Sequence, residues 1–331
     1  MNALITPDQA SCEPMLARAI GVLEQAHPGS RWGVAGPAVE CRKSWVVPLG
    51  ERGGSRRAGL KIYSDARVAE RQAEGLRYAA AMNAHPGQGV PTLHDHDAGA
   101  PTLLVEWIPA PQLEQVLIRS AANPVAYGRT LERVGLWLKH FHGLGGLDES
   151  RFEAARYAGL LEGRMSAASC GLPPVSADPL WQRSLQWLGA ELERLDGTPV
   201  PFACAHGDFT FTNVLVSPHR VIGIDIWADR RLPVAEDLAR MFVYLAMGDL
   251  FPLRARLGPV PLSQRRAQIA LLAGYGGLDA RSTAVWEVLV CFEALARWLS
   301  LSDRLARRES PSERWKRAGV RGVLTSIVGR G

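Results

Sequence analysis

Lysine is scarce in this chain of 331 residues. Of its 38 basic residues only four are lysine, at 43, 61, 139 and 316. A sequence that otherwise uses arginine keeps lysine where a compact ammonium suits the chemistry better than a planar fork. That draws notice to Lys61, set among apolar neighbours in Leu60-Lys61-Ile62-Tyr63. Cysteine is sparse and unpaired: five residues, at 12, 41, 170, 204 and 291, with no C-x-x-C pair. An odd, scattered set argues against a disulfide framework and for free thiols in a reducing cytoplasm. Long apolar runs are absent too. None reaches transmembrane length, and MNALITPDQASCEP has neither a basic nor an apolar leader region, so a cytoplasmic protein is expected. There is no internal repeat or low-complexity tract. Net charge is also missing from most of the chain. Residues 303–331 hold eight Arg/Lys against three Asp/Glu, which accounts for the whole formal charge of +5, so the other 302 residues balance. That excludes the spread basic surface of a nucleic-acid binder.

What is present is ordinary in bulk, 47% hydrophobic and 21% charged, and long enough for one large domain or two lobes. The informative stretch is Ala205-His206-Gly207-Asp208-Phe209-Thr210-Phe211-Thr212-Asn213-Val214-Leu215-Val216, followed after a turn by Val221-Ile222-Gly223-Ile224-Asp225-Ile226. A polar loop lies between short apolar runs, and a buried strand then ends on an acid. Alone, Asp208, Asn213 or Asp225 would be read as a cap or turn residue. Together they are a carboxylate, an amide oxygen and a second carboxylate, the hard-oxygen donors Mg²⁺ takes alongside water and phosphate. Their spacing is that of the phosphoryl-transfer loop: an Asp, four residues, an Asn, and later a metal-holding Asp.

His206-Gly207-Asp208-x-x-x-x-Asn213 with Ile224-Asp225 resembles the aminoglycoside phosphotransferase and choline-kinase-like family of small-molecule kinases. The resemblance implies an α+β, two-lobed protein-kinase-like fold. Residues 1–105 would be a small nucleotide-binding lobe with an antiparallel sheet and a helix. Residues 106–109 would be the hinge, and 110–331 a mostly helical catalytic and substrate lobe ending in the basic tail 303–331. Local signals agree in outline. Residues 13–26 have helical spacing, and strand-like runs follow at 31–35, 44–49 and 59–63. Ser64-Asp65 opens a helix. A strand is expected around 90–93, a polar turn at 94–97, and an apolar strand at 102–105. His94 and His96 lack a third clustered ligand and read as a solvated loop. Helices are expected at 112–120, 123–144, 150–168, 177–196, from 236, at 262–273 and at 281–308.

Carried onto this chain, Asp208 would orient or deprotonate the acceptor hydroxyl, and Asn213 and Asp225 would hold Mg²⁺. Lys61 would bind the α- and β-phosphates, held by a helix glutamate; Glu70 and Glu74 share a face, and Glu74 fits the family better. Glu106, Trp107 and Ile108 would meet the adenine edge of ATP, or the base of GTP. Asp237, in Asp237-Leu238-Ala239, would brace the catalytic loop. His206 is expected to shape that loop, and His142 to cap or pack. The sequence departs from the family in three respects: Ile226-Trp227 follows Asp225 with no glycine, the turn at 36–43 has one glycine beside Pro37, and no substrate-side residues can be matched. The implied activity is ATP-dependent transfer of the γ-phosphate to a hydroxyl of a metabolite, saccharide or aminoglycoside-like acceptor. A catalytically dead nucleotide-binding or scaffold protein is the alternative. The large lobe has no acidic run to suit a polycationic acceptor, though Asp148, Glu149, Glu153 and Asp229 could converge. Expected partners are a nucleotide and a small hydroxylated substrate, not nucleic acid, in a monomer or homodimer. The tail either packs its apolar residues on the large lobe or touches an anionic membrane surface.

Overall fold

A computed structural model describes residues 9–41, 44–168, 175–248, 262–302 and 310–329. By their contacts these fall into two compact units, one of residues 1–110 with 222–229 and one of residues 111–221 with 230–331. The segment 222–229 thus belongs with the N-terminal residues, although by sequence it follows most of the second unit.

The first unit opens with α1 (Gln9–Ala26) and a sheet built from β1 (Trp32–Val34), β2 (Val39–Cys41), β3 (Ser44–Glu51) and β4 (Arg57–Tyr63), joined later by β6 (Leu93–His96) and β7 (Thr102–Glu106). The antiparallel order is β1-β3-β4-β7-β6, with β2 also on β3. Alternation along β4 explains its two faces. Ala58, Leu60 and Ile62 join Leu49, Leu104 and Trp32 against Ala19 and Leu23 of α1. The opposite face carries Gly59 and Lys61, with Lys61 aligned between Val46 and Leu103 and Gly59 between Pro48 and Val105. Then α2 (Ala66–Ala79) starts at Asp65, whose side chain accepts from the Arg67 N–H. It buries Ala69, Gln72, Ala73, Leu76 and Ala79 and leaves Glu70 and Glu74 exposed. A short 3₁₀ turn (Ala80–Ala84) and β5 (Gln88–Gly89) follow.

Two expectations are corrected here. The connection 36–43 contains β2, paired with β3 from Val39↔Val46 to Cys41↔Ser44. The expected polar turn at 94–97 lies mostly in β6, bulged between Leu93 and Asp95. Its acids escaped a strand reading because Arg18 of α1 neutralises Asp95 (3.1 Å) and Asp97 (2.5 Å) at the sheet edge.

The second unit holds α3 (Leu113–Arg119), α4 (Pro124–Gly143), β8 (Asp148–Arg151), α5 (Ala154–Ala168), α6 (Pro179–Leu195), β9 (Pro199–Cys204), β10 (Val214–Val216), β12 (Arg231–Pro233) and α7 (Val234–Met247). Three more helices follow among the described residues: α8 (Leu262–Tyr275), α9 (Ala280–Ser302) and α10 (Pro311–Val328). Strand β11 (Val221–Gly223) lies where the chain passes from one unit to the other. The helix expected from residue 150 begins only at Ala154, and residues 148–151 form a strand. Asp-Glu-Ser-Arg offers no apolar alternation, and only the antiparallel ladder to β9, from Asp148↔Phe202 to Arg151↔Pro199, orders it. On the other side of β9 lies β12.

Helix α7 is buried on all sides, every residue but Tyr244, the mark of a central helix. The expected helix to 308 is described as far as Ser302, and its remainder, within 303–309 with Leu305, lies outside the described residues. The remainder of the tail is α10, started by a capping box between Ser310 and Glu313. It buries Val320, Val323 and Leu324 and pairs Arg321 with Asp178. None of the described helices is long and apolar enough to cross a membrane.

Close approach of backbones supplies a test. A Cβ at Gly75 in α2 would stand 2.1 Å from the Ile226 carbonyl oxygen, whereas one at Gly159 in α5 meets nothing within 4 Å. In urea unfolding, Gly75→Ala should cost about 1–3 kcal/mol through overpacking. Gly159→Ala should add about 0.5–1 kcal/mol through helix propensity. Equal effects of the two would refute this packing of α2.

Candidate active site

Each unit carries one constellation of expected residues. In the second unit it begins where β9 ends, and Ala205-His206-Gly207-Asp208 turns away from the sheet. Gly207 makes the turn at φ 81°, a left-handed conformation that costs other residues about 1–2 kcal/mol. The loop is held from beneath by Asp237, in the first turn of α7. One carboxylate oxygen accepts the His206 N–H (2.7 Å) and the other the Gly207 N–H (3.2 Å). The oxygen shared with His206 also meets His142 Nε2 at 3.2 Å, while His142 Nδ1 lies 3.0 Å from the Tyr275 hydroxyl. A carboxylate can only accept, so Nε2 carries the proton and, in the neutral ring, Nδ1 accepts from Tyr275. Burial works against ionisation of Asp237, but the hydrogen bond and charge of His142, with the charges of His206 and Arg240, outweigh it. The carboxyl therefore lies below its ordinary value.

The His206 ring is fully buried among Trp137, Phe141 and Phe209, with centroids 6.0, 6.0 and 5.4 Å away. Its Nδ1 accepts the Asp208 N–H at 3.3 Å. This lone pair shapes the loop, so His206 is placed as a loop former. Asp208 itself is half-buried and faces Asn213, in a single 3₁₀ turn (Phe211–Asn213). Asn213 Nδ2 donates to the Asp208 carbonyl (2.9 Å) and to Asp208 Oδ2 (3.0 Å). With the amide nitrogen so engaged, the Asn213 oxygen is the end left to meet a cation. The donor set therefore fits a hard metal ion.

Beneath the loop lies a network that sequence reading missed. Arg240, one turn after Glu236, donates to the Gly207 carbonyl. It also meets Glu293 of α9 at 2.8 Å and Glu236 at 3.6 Å. Glu293 is fully buried. Burial opposes its charge, yet Arg240, Arg297 and Arg164 hold its carboxyl below the ordinary range. Glu236 goes the other way, raised by burial despite Arg240, and accepts the Tyr157 hydroxyl at 2.8 Å. The only sequence signal for this network was charge inside otherwise apolar helical runs.

The first unit carries the other constellation. Lys61 Nζ is ion-paired with Asp225. Glu74, the expected partner, stands exposed on α2, so a different carboxylate holds the ammonium here. Asp225 sits at φ 58° and Ala228 at φ 46°, both unusual for residues bearing a Cβ. The turning that a glycine after Asp225 would supply thus falls on Asp225 itself and on Ala228. Arg71 pairs with Asp229 and lies 4.6 Å from the Trp227 ring. Of the expected hinge residues, Glu106 accepts from the Thr92 N–H (3.1 Å) and hydroxyl (3.0 Å). Trp107 packs over Gly59, and the Ile108 carbonyl accepts the Ala110 N–H at 2.9 Å. The scattered acids do not gather: Asp148 pairs with Arg231, Asp229 with Arg71, and Glu149 and Glu153 are exposed. No group of three or more His, Cys, Asp or Glu side chains forms a metal cluster among the described residues.

Removing the Asp237 carboxylate strands two backbone donors and His142 in the interior. Asp237→Ala should cost about 3–5 kcal/mol, the range for breaking a buried pair. Asp237→Asn, which keeps an acceptor, should cost less. Because the folded carboxyl is depressed, its charge stabilises above the ordinary carboxylate value and ceases to do so as pH falls through the folded one. The stability gap between wild type and Asp237→Asn should therefore shrink below about pH 4. A gap that stayed constant from pH 7 to pH 3 would show that the charge does not brace the loop.

The family model described as the phosphotransferase enzyme family, APH, matches residues 47–258. No curated protein matches the sequence. Among solved structures, a choline/ethanolamine kinase family protein from Mesorhizobium loti aligns over 94% of this chain and 98% of its own, at 16% identity and a TM-score of 0.59. A glucosamine kinase in complex with glucosamine, ADP and inorganic phosphate aligns over 95% and 82%, at 16% identity and a TM-score of 0.56. An aminoglycoside phosphotransferase aligns over 95% and 99%, at 12% identity and a TM-score of 0.51. The fold is thus the kinase-like α+β fold anticipated from residues 206–225. With the family model spanning well over half of the sequence, the chain belongs to the phosphotransferase enzyme family and is a kinase.

Proposed function

We propose that the protein transfers the γ-phosphoryl group of ATP to a hydroxyl of a small molecule. The observation that carries this reading is the half-buried Asp208 carboxylate, held by Asn213 on a loop whose backbone is pinned by Asp237. Asp208 accepts the acceptor's hydroxyl proton as the hydroxyl oxygen bonds to the γ-phosphorus. The bond from that phosphorus to the β–γ bridging oxygen breaks, and ADP leaves. Such a reaction asks mainly for placement and charge neutralisation. Lys61 binds the α- and β-phosphates. Its ammonium has three donors, so it serves phosphate while keeping Asp225. Asn213 and Asp225 are the ligands for Mg²⁺, which when bound neutralises and aligns the phosphates. The backbone of 106–108 meets the adenine edge, and Trp107 gives the base an apolar wall. A relative solved with ADP and another solved with a nucleotide analogue and Ca²⁺ support nucleotide and divalent-metal use. The scaffold alternative is not favoured, since Lys61, Asp208, Asn213 and Asp225 are all retained. The acceptor is a small hydroxylated metabolite or saccharide rather than a polycationic antibiotic, because the acids that could have formed an anionic pocket for it are exposed or already paired.

ADP release measured over a panel of hydroxylated metabolites and sugars tests this. Asp208→Ala should lower kcat at least about 100-fold, as for loss of a general base, with Mg-ATP affinity retained. Asp225→Ala should lose Mg²⁺-dependent nucleotide binding in calorimetry while remaining folded. Equal Mg-ATP affinity in Asp225→Ala and wild type would remove the metal assignment. Efficient phosphorylation of several aminoglycosides at micromolar concentration would overturn the acceptor preference.

A further inference from the structure

In the second unit α7 is buried at every residue but one, α9 is buried at every residue but one along its middle, and those two residues touch. Tyr244 is the one residue of α7 that is not buried, and in the stretch 288–299 of α9 every residue but Arg297 is buried. The Arg297 guanidinium lies 4.9 Å from the centroid of the Tyr244 ring. The same ring packs edge-on against Phe211 of the Asp208 loop, 5.6 Å between centroids. Burial raises the Tyr244 phenol above its ordinary value, with Arg297 opposing and the charge of Asp208 adding, so Tyr244 senses both groups.

The cationic side chains here are not used up by structure. Arg297 reaches Glu293 at only 3.4 Å through one terminal nitrogen, and its buried Nε has no hydrogen-bond partner among the described residues. Arg164 of α5, half-buried over the Phe292 ring at 5.5 Å, has no ion-pair partner among the described residues. Glu293 is already committed to Arg240, and Glu236 to Arg240 and Tyr157. Three guanidiniums (Arg164, Arg240, Arg297) thus face two carboxylates, and Arg164 and Arg297 are the two that are only partly buried. A guanidinium with free N–H groups beside a phenol is a fork suited to carboxylate or phosphate oxygens.

We propose that Arg297 and Arg164, with the Tyr244 hydroxyl, form an oxyanion-binding subsite beside Asp208, and that the phosphate acceptor is a hydroxylated small molecule carrying a carboxylate or phosphate group. The inference rests on the phosphotransferase reading, with Asp208 at the acceptor hydroxyl. It deepens that reading by giving the acceptor a charge. Arg297 acts on binding: it anchors the anion and so presents the hydroxyl to Asp208.

The test pairs acceptors that differ in charge: gluconate and glucose 6-phosphate against glucose and glucosamine. Turnover is measured with full-length wild type, Arg297→Gln, Arg297→Lys and Arg164→Gln, and binding of the same four compounds in the presence of ADP is measured by calorimetry. Wild type should favour at least one anionic compound over glucose by about tenfold or more, the scale of a hydrogen bond to a charged group. Arg297→Gln should erase that preference through KM or Kd with little change in kcat, and Arg297→Lys should restore part of it. Preference for gluconate alone or glucose 6-phosphate alone assigns the anion as carboxylate or phosphate. Equal or stronger handling of glucose and glucosamine by wild type, or no difference between wild type and Arg297→Gln, would overturn the subsite, as would absence of anion binding in calorimetry. Mg-ATP titration of the same preparations keeps the two readings apart. Normal Mg-ATP binding with no anion preference sinks only the subsite, whereas loss of Mg-ATP binding in wild type sinks the phosphotransferase reading itself.

Discussion

One buried carboxylate organises the 206–208 turn of this enzyme. Asp237 accepts from two consecutive backbone N–H groups of the 206–208 turn and from the imidazole of His142. Those N–H groups belong to a loop that has left its sheet, so no ladder partner remains for them, and a buried unpaired donor would cost about 1–3 kcal/mol each. The same carboxylate that satisfies them fixes the left-handed Gly207 and thereby aims Asp208. Tyr275 and His142 extend the brace into α8 and α4. The position of one acid thus depends on three helices packed by apolar contacts around Trp137, Phe141 and Phe209.

The second support of the loop is ionic. Arg240 reaches the Gly207 carbonyl and is held by Glu293 and Glu236 from two helices. Buried ion pairs contribute little net stability, because desolvation consumes most of the attraction, but breaking one leaves an uncompensated charge. Their value here is geometric: they tie α7, α9 and the loop into one register. The same network leaves Arg297 with one long contact to Glu293 and an unpartnered Nε, and Arg164 without an ion-pair partner among the described residues.

The constellation of the first unit is organised differently. Lys61 is presented by a strand whose opposite face is packed on α1, so its backbone has little freedom. Asp225 is presented by a turn in which two residues with side chains adopt left-handed backbone. Such residues persist only where the surroundings over-determine them. Here a tight contact of α2 at Gly75 with the Ile226 carbonyl and the pairing of Arg71 with Asp229 do so.

The spacing Asp208-x-x-x-x-Asn213, the later Asp225 and the lone strand lysine were legible in the sequence, because a loop of fixed length sets how far its groups can lie apart. Helices α2 and α4 were legible from apolar period, and α2 also from its cap at Ser64-Asp65. The edge strand β8, with four polar residues, was not, since only its ladder to β9 orders it. Nor could the sequence decide which carboxylate holds Lys61. The family resemblance favoured Glu74 on the next helix, but the carboxylate that meets Lys61 in the structure is Asp225, 164 residues away in the chain. Helices α7 and α9 carry no polar face, so their amphipathic pattern could not show which buried charge meets which. Packing alone brought Arg240 to Glu293 and set Arg297 beside Tyr244, because contacts between residues distant in sequence are fixed by which helices stack, not by spacing along any one of them.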